Sequence, residues 1–378
     1  MNNRMARMDI GLFVAVLVLL GFGIVFVYSS SFAVAQQRFG GSDFFLARQT
    51  IRALLAIISF MVFINVDYHI WGRLSNLFYV ASIILLVIVL FLPEINGARR
   101  WISIGQFSFQ VSDFARMALI MVLARNCERA GDEIKNWNVL SKILLKAGIV
   151  CGLILLEPNF STALILALIG LMMLFLSGAR FMHLATLAVS TIPVMLILVL
   201  KTPYRKARIT GFLNIISEQS NLGYQAFQSL IGLGNGGIFG VGLGKGEQKF
   251  FYLPEPHTDF MISILGEETG FIGLLIIISI YAFIIFRGMK ISLNAPDRMG
   301  QLMSFGFTSV IAMYLLFHTA VGTGLVPTTG IPLPFLSYGG MSLIFMMSSV
   351  GILLNISSQA DVSAKVLQSI RSERLIKV

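Results

Sequence analysis

Residues 10–32 read IGLFVAVLVLLGFGIVFVYSSSF, with Arg4 and Arg7 just ahead of them. An apolar run of this length with no ionisable residue crosses a bilayer as a helix, which takes about 20 residues. "AVA" at 33–35 resembles a signal-peptidase site. The run, however, exceeds the roughly 7–15 apolar residues of a signal peptide, so it is expected to stay on the chain as a first membrane helix.

The rest of the chain repeats the pattern. Of 378 residues, 56% are hydrophobic and 12% charged, and the mean hydropathy is +0.84. Soluble domains carry about 25% charged residues, so a multidomain soluble enzyme is excluded. Ten apolar runs qualify as spans: 10–32, 50–66, 77–93, 112–125, 142–157, 162–178, 182–200, 258–286, 301–326 and 335–358. The second contains Arg52 and the fourth contains Asp113 and Arg116, which makes them the weakest. The expected fold is all-α and polytopic, a single transmembrane helical domain over 1–358. A long Gly-rich segment, 201–257, joins helices seven and eight, and residues 359–378 form a tail. No strand-rich domain and no tandem repeat of about 20–50 residues is present.

Two cysteines, Cys127 and Cys151, are too few for a disulfide framework or a metal cluster. The four histidines show no metal-ligand spacing. The net charge of +10 would suggest nucleic acid in a soluble protein, but its distribution assigns it otherwise. Most of the 28 Lys and Arg residues fall near the N-terminus, in alternate loops and in the tail. The intervening short loops hold Arg38, Arg48, Arg99 and Arg100. By the positive-inside rule both termini are cytoplasmic, and no nucleic-acid partner is needed to explain the charge.

The unusual sequence then falls on the outer side. In "NGARRWISIGQFSFQVSDFARMAL", 96–119, Trp101 suits a membrane interface. Asp113 and Arg116 are three apart and share a helix face; a structural ion pair and a cavity-lining pair fit equally. "EPNFST", 157–162, puts a carboxylate at a turn. In "YRKARITGFLN", 204–214, Arg205, Lys206 and Arg208 suit lipid headgroups or a phosphate ligand, which the planar Arg fork binds well. The glycines of "GYQAFQSLIGLGNGGIFGVGLGKGEQKFFYLPEPHTDF", 223–260, lack the strand, helix and Ser or Thr of a P-loop. They are read as bent, re-entrant backbone lining a cavity.

That stretch ends at Asp259, at the mouth of the eighth span. Thr258 or Asp259 can cap the helix, or Asp259 can act as a base. Glu267 lies about 80° around the helix from Asp259 and about 12 Å along it. The two cannot flank one bond as paired glycosidase carboxylates do; a single general base fits better. "GTGLVPTTGIPLPFLSYGGMSL", 322–343, is a turn bringing Ser337 and Tyr338 toward the same place.

Taken together, "VYSSS" (27–31), "GARRW" (97–101), "QVSDFAR" (110–116), "PEPHTDF" (254–260), "GEETG" (266–270) and "LPFLSYGG" (333–340) resemble the SEDS family, the FtsW and RodA proteins of bacterial cell-wall synthesis. "YSSS", "LEPNF" and "YLPEPHTDF" look closer to the division branch (FtsW) than to the elongation branch (RodA). Departures are Val111, Asp113 and Arg116 for the family's Pro, Glu and Lys, Asn159 for an acid, Met341 for a Ser, and His318 for an Asn.

The resemblance implies a peptidoglycan glycosyltransferase in the bacterial cytoplasmic membrane that polymerises lipid II at the outer face. The family's essential Asp maps to Asp259. The implied partner is a class B penicillin-binding protein, with other divisome or elongasome membrane proteins beside it. Arg48, Arg100, Arg205, Arg208 and Lys249 are the candidate pyrophosphate cations; Trp101, Gln228, His257, Thr258 and Ser337 are further candidate substrate contacts. A divalent cation (Mg or Mn) is compatible with the chemistry, though no ligand cluster marks a metal site. A lipid II flippase and a non-catalytic scaffold for division or elongation are the competing readings. The clustering of ionisable residues at helix ends, rather than at the bilayer midplane, weighs against transport.

Overall fold

The computed structural model describes residues 8–94, 98–105, 107–213, 221–250, 253 and 257–376. A helix stands at each of the ten predicted positions. They are α1 (Ile10–Phe39), α2 (Phe44–Asn65), α3 (Tyr68–Val89), α4 (Val111–Ala130), α5 (Trp137–Leu156), α6 (Phe160–Leu176) and α7 (Phe181–Leu200). After the 201–257 segment, which holds α8 (Pro203–Leu213) and α9 (Asn221–Gly236), come α10 (Met261–Leu293), α11 (Arg298–Gly322) and α12 (Ser342–Ile376). Seven helices among the described residues are long and apolar enough to cross a membrane: α1, α2, α3, α5, α10, α11 and the Ser342–Ala360 part of α12. α6 and the Phe181–Ile197 part of α7 are apolar but shorter.

α4 fails the hydropathy test for a physical reason. Almost every residue from Val111 to Ala124 is buried, against α3, α11 and α5. A helix enclosed by other helices meets no lipid, so its charged residues face protein rather than hydrocarbon. Three helices, α1, α3 and α11, are capped by an aspartate side chain: Asp9, Asp67 and Asp297. Asp9 accepts from the Leu12 amide at 2.9 Å, caps α1, and pairs with Arg287 of α10 at 2.7 Å.

Two features depart from the expected all-loop connections. Trp101–Ile104 (β1) and Phe107–Gln110 (β2) form an antiparallel hairpin with Trp101 opposite Gln110, and the hairpin runs straight into α4. The 201–257 segment is also not simply bent backbone, because α8 and α9 occupy much of it.

The glycines after α9 do something more specific. α10 breaks at Gly270, where φ is +68°. The break leaves the carbonyls of Glu267 and Glu268 and the amides of Phe271 and Ile272 without their helical partners. The folded-back 237–242 loop supplies all four. Val241 and Gly242 donate to Glu267 and Glu268 at 2.9 and 3.0 Å, and Phe271 and Ile272 donate to Gly237 and Ile238 at 2.9 and 3.2 Å. Gly240 (φ +80°) sits so close that a Cβ there would lie 2.3 Å from the Glu268 carbonyl oxygen.

Candidate active site

Asp259 lies in the turn that leads into α10. The N-cap of that helix is Phe260, so neither Thr258 nor Asp259 takes the capping position expected from sequence. The turn is held instead from the 331–338 segment. Tyr338 donates its amide to the His257 carbonyl at 2.8 Å. Ser337 donates its hydroxyl to the Thr258 carbonyl at 2.8 Å and accepts from the Leu333 amide at 2.9 Å. His318 of α11 bonds the Ile331 carbonyl through Nδ1 at 2.8 Å and accepts from the Ile262 amide through Nε2 at 3.4 Å. One imidazole thus ties the 331 turn to the first turn of α10.

The Asp259 carboxylate faces the same segment. A Cβ on Gly330 would lie 3.6 Å from Asp259 Oδ2. Arg208 of α8 donates to the Thr328 carbonyl at 2.8 Å, which docks the basic helix against that turn. The Arg205 side chain, like Glu255, lies outside the described residues.

Beside the turn opens a cavity of about 520 Å³. Arg38, Arg48, Arg52, Trp101, His257, Thr258 and Tyr338 line it, with Phe44 and Phe45, and among the described residues no carboxylate does. Arg48 and Arg52 are one turn apart on α2. Arg48 stacks over Phe44 at 4.0 Å and Arg52 over Tyr338 at 4.7 Å. Arg52 is 5% exposed, and its Nη1 has no hydrogen-bond partner among the described residues; nor do the amide atoms of the fully buried Gln49. Buried donors of this kind ordinarily have partners, and Arg52 presents its guanidinium to the cavity wall, where it suits an anion. His257 adds no charge. Its ring packs 4.6 Å from Phe45 and 5.4 Å from Tyr338. Burial, with Arg38 adding to it, pulls its pKa down to about 4.

Of the residues expected from sequence, Arg48, Trp101, His257 and Thr258 stand together on one cavity wall, and Ser337 bonds the Thr258 carbonyl behind it. Sequence reading missed Arg38 and Arg52. The available signal was the i, i+4 spacing of Arg48 and Arg52, which counts only because α2 begins at Phe44 and not near residue 50.

Other expected contacts lie elsewhere. Lys249 is fully buried and pairs with Glu268 at 2.6 Å, because the folded-back loop carries it against α10. Arg100 donates to the carbonyls of Glu157 and Pro158 at 2.9 and 2.6 Å. Gln228 sits half-buried on α9 and is not among the cavity-lining residues. Asp113 and Arg116 pair at 3.0 Å in a buried setting, with Arg116 also on the Tyr314 hydroxyl of α11. They too are absent from the cavity wall.

Glu157 stands at the turn between α5 and α6. It is fully enclosed, and neither oxygen has a hydrogen-bond partner among the described residues. Burial raises its pKa to about 8 despite the nearby Arg100, and Asp113 pushes the same way. Among the described residues no group of three or more His, Cys, Asp or Glu side chains comes together to hold a metal ion.

Fold and site define a polytopic helical membrane protein with an arginine-lined cavity beside the turn that leads into α10. The family model described as cell cycle protein, covering FtsW, RodA and SpoVE, matches residues 10–362. The chain belongs to that family. It is 38% identical over 94% of its length to the probable peptidoglycan glycosyltransferase FtsW of Geobacter sp. (strain M18), covering 98% of that protein. It is 40% identical over 94% of its length to stage V sporulation protein E of Bacillus subtilis (strain 168), covering 99% of it. Among solved structures, a chain described under "Structural coordination of polymerization and crosslinking by a peptidoglycan synthase complex" superposes with a TM-score of 0.79 at 26% identity. That match covers 93% of this chain and 98% of the other. The rod shape determining protein RodA of Thermus thermophilus gives 0.71 at 26%, covering 93% and 96%.

Proposed function

We infer that the chain is a peptidoglycan glycosyltransferase that polymerises lipid II at the outer face of the cytoplasmic membrane, with Asp259 as general base. The observation that carries this reading is the Asp259 carboxylate on a turn held by Ser337 and Tyr338, whose adjoining residues His257 and Thr258 line a cavity together with three arginines. The names of the FtsW relatives support the activity.

Asp259 accepts the proton of the acceptor GlcNAc 4-hydroxyl. That oxygen attacks the anomeric carbon of the donor MurNAc, and undecaprenyl pyrophosphate leaves. An α-linked donor giving a β-1,4 product requires one inversion, for which one base is enough. Arg48 and Arg52, with Arg38 at the rim, are placed to receive the pyrophosphate, whose charge needs fixed donors as the bond breaks. Trp101 and Tyr338 offer the aromatic faces that border it.

Both termini are placed in the cytoplasm by the loop charges, with 94–111 and 201–257 outside. The partner is a class B penicillin-binding protein, in keeping with the polymerising and crosslinking complex among the structural neighbours.

The test is polymerisation of labelled lipid II by the purified protein with its cognate penicillin-binding protein, resolved as glycan chains on a gel. Wild type is expected to give polymer and Asp259→Ala none. Polymer from both removes Asp259 as base. Polymer from neither, with lipid II movement in vesicles, favours a flippase.

A further inference from the structure

Among the buried charged groups that the mechanism leaves unused is the pair Lys249 and Glu268. Lys249 Nζ lies 2.6 Å from Glu268 Oε1. Ser29 of α1 donates to the same carboxylate at 2.7 and 2.6 Å, and the Phe32 ring lies 5.0 Å from the ammonium. Both side chains are fully buried, and neither lines the arginine cavity. Stability is not a sufficient reason for the pair. Desolvation cancels much of the attraction in a buried ion pair, and apolar residues of similar volume commonly do as well. What such a pair adds over apolar packing is direction: one ammonium must meet one carboxylate.

The direction matters because of where the two residues lie. Lys249 is ten residues before Asp259 and Glu268 nine residues after it. The neighbouring positions are stapled in parallel. Glu267 accepts from the amides of Glu247 at 2.9 Å and Gln248 at 3.2 Å. Gly246 is pressed so close that a Cβ there would lie 2.6 Å from Glu267 Oε2. The chain entering the Asp259 turn and the chain leaving it are thus fixed to the same point of α10, while Ser337 and Tyr338 hold the turn itself.

We propose that Lys249 and Glu268 are positioning residues for the reaction, an internal clamp that sets the Asp259 turn against the cavity. The proposal rests on the reading of Asp259 as base. A carboxylate displaced by about 1 Å loses on the order of a hundredfold in rate, because proton transfer needs hydrogen-bond reach to the attacking hydroxyl. Lipid II binding, carried by the cavity arginines, is left alone by the clamp.

The test is the double variant Lys249→Met/Glu268→Gln, which removes both charges and so avoids leaving one of them buried alone. Lipid II polymerisation is measured against lipid II concentration in the complex with the penicillin-binding protein. Rates are normalised to the fraction of protein that binds lipid II, and the unfolding midpoint is followed in detergent. The expected result is a kcat at least tenfold lower, a KM within threefold of wild type and a midpoint close to it. Wild-type kcat in the double variant overturns the proposal. So does a loss of rate matched by a loss of binding-competent protein, which is what a merely structural pair gives. Asp259→Asn, assayed in parallel, separates the two readings. If it is inactive while the double variant is fully active, only the clamp fails; if it is active, the base itself fails.

Discussion

His257 makes the acid stability of the protein calculable. Its ring is 3% exposed, packed between Phe45 and Tyr338, and its pKa falls from 6.5 to about 4, chiefly by burial and further by Arg38. The unfolded chain takes up the imidazole proton near pH 6.5, whereas the folded chain takes it up only near pH 4. The contribution of this group to stability is therefore complete above pH 6.5 and is lost as the pH falls toward 4. At about 1.36 kcal/mol per pH unit the loss amounts to about 3 kcal/mol. Other groups titrate in the same window, so the quantity to measure is a difference. His257→Gln keeps a polar side chain that does not titrate. Wild type and variant are unfolded by denaturant in detergent at a series of pH values from 8 to 4. The stability gap between them is expected to be flat above pH 7 and to move about 3 kcal/mol in favour of the variant by pH 4. A gap that stays constant across the series refutes the reasoning, because His257 then charges as easily folded as unfolded. The same neutrality means that the cationic character of the cavity at neutral pH comes from Arg38, Arg48 and Arg52, not from His257.

Three further outcomes follow from the packing. Glu157 has a raised folded-state pKa of about 8, so its ionisation opposes folding increasingly between pH 4.5 and 8. In the same unfolding series, Glu157→Gln should gain on wild type through that window, by up to about 3 kcal/mol at pH 7; a pH-independent difference contradicts it. Gly240→Ala places a Cβ 2.3 Å from the Glu268 carbonyl oxygen at φ +80°. It should cost at least about 2 kcal/mol, seen as a lowered unfolding midpoint, and an unchanged midpoint counts against the loop docking described. Arg116→Met strands the buried Asp113 and should cost about 3–5 kcal/mol, most of it recovered by adding Asp113→Asn. A double-mutant cycle with no coupling would rule out the pair as drawn.

Much of the architecture was legible because it rests on transfer free energies that depend on each residue alone. Runs such as Ile10–Phe32 are helical in a bilayer whatever surrounds them, since only a helix satisfies its own backbone there. The turn carrying Asp259 was legible too, because prolines, a histidine and an acid at the lip of an apolar run stand out against the lipid background. Helices in the wrong-looking place were harder. α4 is too polar to be read as lipid-facing, and only its enclosure by α3, α5 and α11 explains it.

What the sequence by itself determined was thus the helical membrane class, the order of the main helices and the turn that carries Asp259. The tertiary structure alone decided what each charge does. Arg52 stands in a span and lines the cavity, whereas Lys249, a candidate pyrophosphate cation by sequence, is buried on Glu268. Arg100 looked free for a phosphate and holds the Glu157 turn. Hydropathy is a property of one residue, but an ion pair or an anion site is a property of two surfaces brought together. Ser29 meets Glu268 across 239 residues of chain, and nothing local to either residue announces the other.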